Sequence, residues 1–134
     1  MSETIQAVAW KQWCHRAQMP CAGDVVTVPV ASAQEGRQAR TQSVRVRVVD
    51  QGVVLQSIVA HKRQVAAPDT TQCELWLRNR SRDLISFSID RAGKIIASCW
   101  LPAGTLDGDE FLFALRHLAT EADRLEFLMT GSGE

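Results

Sequence analysis

Residues 107–131, DGDEFLFALRHLATEADRLEFLMTG, hold the longest regular pattern in the chain, and the rest of the sequence is read outward from them. Asp107 stands where an N-cap belongs, with Glu110 three residues on; a side-chain oxygen there satisfies the free backbone N–H groups at a helix start. Phe111, Leu115, Leu118, Ala122, Leu125 and Met129 then recur at alternating steps of four and three. That spacing keeps one apolar face for about six turns, so it predicts a helix packed along a sheet or a partner over roughly 30 Å. Gly131 ends it.

Upstream lie runs with the period of strands. Residues 73–79, 84–90 and 94–101 are separated by Ser81-Arg82-Asp83 and Arg91-Ala92-Gly93, both of hairpin length. The middle run alternates, with Ile85, Phe87 and Ile89 on one side and Ser86 and Ser88 on the other. Residues 43–60 form two more runs around Asp50-Gln51-Gly52, a tight connection with a glycine where positive φ is easiest. Val44, Val46 and Val48 alternate there with Arg45, Arg47 and Val49, giving one apolar and one largely basic face. Residues 53–60 are apolar on both faces apart from Gln56 and Ser57, the pattern of a central strand. Val25 to Val28 make a further β-branched run, and Pro29 confines it to an edge. Residues 31–42 and 61–71 read as connections, the second as loop or a single turn.

At the other end Ser2 and Glu3 precede Ile5, Val8, Ala9, Trp13 and Ala17, an amphipathic helix of about four turns that stops at Met19-Pro20. The order is helix, antiparallel strands, helix. This is the α+β class: a twisted antiparallel sheet of about five strands flanked by an N-terminal and a long C-terminal helix. No repeat or boundary divides residues 1–134, which are read as a single domain.

Composition removes several functions. With 15 basic and 15 acidic residues the formal net charge is zero, unlike proteins whose affinity comes from neutralising phosphates. Cys14, Cys21, Cys73 and Cys99 lack zinc-site spacing, and no cofactor or metal is expected. No stretch has the length and apolarity of a membrane span or a secretory leader, which with the unpaired cysteines predicts a cytoplasmic protein. His15, His61 and His117 stand far apart, without a nucleophile elbow, a phosphate loop or a metal-binding pair. Glu121 and Asp123 fall about 200° apart around a helix, so the acids near Arg124 form a solvated face and not an acid–base pair. Catalysis is not expected.

Residues 75–131, LWLRNRSRDLISFSIDRAGKIIASCWLPAGTLDGDEFLFALRHLATEADRLEFLMTG, also show an ordered set of features. A strand runs into Asn79, another ends in Asp90, Gly93 opens a third and Leu101-Pro102 closes it. Leu106 and Glu110 begin the helix, and Ala122-Asp123-Arg124-Leu125-Glu126 with Thr130-Gly131 finish it. In that order, and across residues 43–131, the chain resembles the type III secretion chaperone-like family of bacterial proteins, which includes Tir chaperones and YbjN-like proteins. The resemblance implies a twisted sheet with flanking helices, a homodimer, and the holding of a client protein segment without catalysis. The helix that such chaperones place between their third and fourth strands is reduced here at most to residues 61–71.

A client surface needs apolar side chains that the core does not consume. Trp10 lies off the first helix's stripe, Phe113 and Phe127 lie off the last helix's stripe, and Trp76 and Trp100 share strand faces with polar neighbours. These five are the expected partner-binding residues. The alternative is a nucleic-acid-binding or regulatory module using Arg45, Arg47, Arg78, Arg80 and Arg82. Between Arg37 and Arg91 ten basic residues face five acidic ones, although the zero net charge argues against that use.

Overall fold

The computed structural model describes residues 9–30, 40–61 and 85–130. Helix α1 spans Trp10–Arg16; strands β1 to β4 span Cys21–Ala22, Val25–Val30, Arg40–Val49 and Gly52–His61; β5 and β6 span Ser86–Ile89 and Lys94–Pro102; helix α2 spans Gly108–Thr130. The strands form one sheet in the order β1-β2-β3-β4-β6-β5, and every neighbouring pair is antiparallel. The described residues hold six strands where about five are expected in all, and one of them is unforeseen: two residues after Pro20 pair with β2 through the turn at Gly23, whose φ is +60°. The expected strand at 73–79, with Trp76 and Arg78, and the connection after it, with Arg80 and Arg82, lie outside the described residues, as do residues 1–8 of the first helix.

Helix α2 builds the core as its spacing predicts. Asp107 Oδ1 accepts the Glu110 N–H at 2.8 Å, capping the helix. Phe111, Leu115, Leu118, Ala122 and Leu125 are fully buried, joined by Ala114 and Ala119. Burying each large apolar side chain contributes about 1.5–3 kcal/mol. The helix lies over β2, β3, β4 and β6, and α1 packs against its first turns. Inward strand positions feed the same core, from Val26, Val28 and Val44 through Val53 and Leu55 to Ile95, Ala97 and Phe87. β4 lies between β3 and β6, as its two apolar faces predict. No helix among the described residues is long and apolar enough to cross a membrane.

Four local features depart from the sequence reading, the first being that Arg40 to Gln42, expected in the connection 31–42, already belong to β3 and pair with β2. The positive φ in the β3–β4 turn, +62°, belongs to Gln51 and not to Gly52, which begins β4 opposite Val49 and Pro102. A bulge between Ile58 and Ala60 turns both Val59 and Ala60 into the core. Val48, on the apolar side of β3, is 46% exposed. Pro29 does fall on an edge: it pairs with Thr41 on β3, and β1 reaches only Val25 and Val26.

Candidate protein-binding face

The six described strands contain no aspartate or glutamate. Their outward face carries Arg45 and Arg47 on β3, Val54, Gln56 and Ile58 on β4, and Ile96, Ser98 and Trp100 on β6. Strand register sets these in rows. Arg47, Val54 and Trp100 lie side by side, then Arg45, Gln56, Ser98 and Ser86, then Ile58, Ile96 and Ser88. Ile58 is 55% and Trp100 54% exposed, values normal for a lysine and unusual for side chains of this size. Val54 stands beside Trp100 and Ile96 beside Ile58, both half-buried, and the Gln56–Ser98 pair lies between these two apolar pairs. The result is a patch of two apolar pairs about one polar pair, bordered on one side by two exposed arginines and on the other by serines.

The face continues toward the C-terminal half of α2. An open cleft of about 580 Å³ starts at Gln56 and Ile58 and is bounded by Arg40, Arg45 and Glu126. Arg40 forms an ion pair with Asp123, fastening β3 to the helix. Glu126, one turn on, has its carboxyl pKa pushed up to about 7, chiefly by burial and further by Asp123, against the pull of Arg40. Beneath the cleft, Gln42 Nε2 donates to Ser57 Oγ at 3.0 Å and to the Ile58 carbonyl at 3.3 Å, and Ser57 Oγ donates to the Ser43 carbonyl at 2.9 Å. These are the two buried polar residues of the described core, and their bonds hold β3 and β4 in register beside the bulge.

Of the expected partner-binding residues, Trp100 and Phe113 are exposed, at 54% and 66%, but on different elements: Trp100 on the sheet and Phe113 on α2, where it stacks on His117 with ring centroids 5.8 Å apart. Phe127 is half-buried and engaged with its surroundings. Trp10 is a correction. It is 3% exposed, because α1 turns Trp10 and Cys14, four residues apart, toward the core, and the Trp10 ring lies 6.2 Å from Phe111. Trp13, the residue expected to be buried, is only half-buried, with its ring 5.4 Å from Phe111 and its edge against Gly108. Arg45 and Arg47 stand together on the outward face as their alternation predicts. Ile58 and Val54 were legible as apolar, but a strand apolar on both faces reads as covered on both.

No protein-family model matches the chain, and no curated protein matches it. Solved structures do. A chain of the ExsC–ExsE complex superposes with a TM-score of 0.65 at 14% identity, covering 96% of each chain. A chain of the heterodimeric ExoU–SpcU complex from the type III secretion system of Pseudomonas aeruginosa gives 0.59 at 17%, covering 90% of this chain and 98% of that one. The Yersinia pestis structure of the type III secretion chaperone SycH with a fragment of YscM2 gives 0.58 at 11%, with the same coverage. The fold of this chain is that of the type III secretion chaperones. At these identities the likeness defines a class of architecture, the one the order of features in residues 75–131 implied.

Proposed function

We propose that the chain is a non-catalytic binding protein of the bacterial cytoplasm, a single chaperone-like α+β domain that holds a segment of a client protein on the outward face of its sheet. The observation that carries this reading is the patch formed by the Trp100–Val54 and Ile58–Ile96 pairs, beside Arg45 and Arg47, on strands that lack any acidic residue. A side chain the size of tryptophan or isoleucine left half in water on a flat face is usual for an interaction site. Charge complementarity selects a client segment that pairs apolar side chains with aspartate or glutamate. Proteins solved in complexes with protein partners share the fold, which supports a protein as the ligand. The reading covers a secretion chaperone and a YbjN-like regulator alike, since both would hold a protein.

We further propose that the chain works as a homodimer and that Phe113, with His117 stacked on it, supplies a separate contact for the second copy. This leaves the sheet face to the client.

The test is co-expression of the chain with the product of each adjacent gene, followed by size-exclusion chromatography with light scattering. A stable complex of defined stoichiometry is expected with one of them. Absence of any such complex, together with binding of single-stranded oligonucleotides that weakens steeply with salt, would replace this reading with the nucleic-acid one.

A further inference from the structure

Cys14 and Cys21 belong to different elements, the last turn of α1 and the first residue of β1, yet both close on Met19. The Cys14 carbonyl accepts the Met19 N–H at 2.9 Å, and the Cys21 thiol reaches the Met19 carbonyl at 3.7 Å. Gln18, at φ +62°, makes the reversal that brings the strand back beneath the helix. Cys21 is near enough to Cys14 for its side chain to add to the upward push of burial on the Cys14 thiol. Their exposures differ sharply: Cys21 is open to solvent, whereas Cys14 is fully buried.

We propose that Cys14 and Cys21 are a thiol modification site, closing to an intrachain disulfide when the protein meets an oxidised low-molecular-weight disulfide. Exposure fixes the order of events. Of the two, only Cys21 is accessible to the oxidant; its thiolate attacks one sulfur of the small disulfide, giving a mixed disulfide and releasing one small thiol. Cys14 then loses its proton to solvent and attacks Cys21 Sγ, forming the Cys14–Cys21 bond and expelling the second small thiol. One small disulfide is reduced to two thiols, and two protein thiols become one disulfide. Burial, and then the neighbouring Cys21, push the Cys14 thiol up to about 12, so the second step is the slow one. The bond ties the first helix to the edge of the sheet, where β1 contributes only two residues.

The experiment treats the folded full-length protein with oxidised glutathione, followed by acid quenching, intact mass measurement and tryptic mapping. Trypsin cuts after Lys11 and Arg16, so the disulfide joins two separate peptides. Wild type is expected to lose two hydrogen masses, to yield that linked pair, and to revert with dithiothreitol. Cys14→Ala should stop at one glutathione on Cys21, and Cys21→Ser should form neither product. Wild type that stays unreacted, that halts at the glutathione adduct, or that links through Cys73 or Cys99 would overturn the proposal.

Discussion

The indole of Trp100 lies across Gly52, so that a Cβ on Gly52 would meet the ring at 2.6 Å from Cε2 and 2.9 Å from Cζ2. Gly52 has no positive φ to maintain, and alanine would suit its backbone. What excludes a side chain is the ring, which covers the glycine and gains a flat backbone surface to rest on. Gly52→Ala is therefore expected to cost about 1–3 kcal/mol, as overpacking does. In a Trp100→Ala background the same change should be close to neutral. Urea denaturation of the four proteins of this cycle gives the coupling directly.

The Gln42–Ser57 pair predicts a similar dependence inside the core. Ser57→Ala removes the acceptor of one Gln42 N–H and the donor to the Ser43 carbonyl, leaving buried polar groups unsatisfied. A loss of about 1–3 kcal/mol is expected. Removing both side chains, as Gln42→Leu with Ser57→Ala, should cost less than the two single changes added together. Denaturation midpoints of the three variants test it.

Glu126 makes stability depend on pH. Its carboxyl rises from 4.5 to about 7, first through burial and then through Asp123, with Arg40 opposing. The folded protein thus binds this proton more tightly than the unfolded chain does. Its contribution to stability is complete below 4.5 and disappears as the pH climbs through about 7. Glu126→Gln, which stays neutral, is expected to flatten this part of the profile. Thermal midpoints should show wild type losing ground to the variant between about pH 5 and pH 8; parallel curves would remove the assignment.

Phe113 gives a prediction about assembly. Phe113→Glu puts a charge at a site that is 66% exposed in the single chain, so the fold should survive. Light scattering is expected to report a dimer for wild type and a monomer for this variant. A wild-type monomer, or a dimer indifferent to the change, would remove Phe113 from self-association.

The long helix was legible because only one of its faces meets the sheet, so the steps from Phe111 to Leu125 repeat without interruption. The alternation at Arg45 and Arg47 was legible for the same reason. Trp10 was not, because the described α1 has seven residues and Trp10 and Trp13 both reach Phe111, so a single stripe cannot say which is inside. β1 was invisible because two residues carry no period. Gly52 was misread in the turn because local turn chemistry cannot show a ring that arrives from β6, about fifty residues later in the chain. The openness of the face around Ile58 was hidden in the same way: composition gives apolarity, while exposure depends on which side the helices occupy.

The most direct test of the account is the affinity of the identified client for a variant carrying Ile58→Glu and Trp100→Glu, measured by calorimetry beside wild type. Both positions are more than half exposed, so circular dichroism should show an intact fold. The account predicts that binding weakens by about 100-fold or more, the loss expected when the centre of an interface is removed. An affinity within about twofold of wild type, with the fold intact, would contradict the assignment of the sheet face to the client.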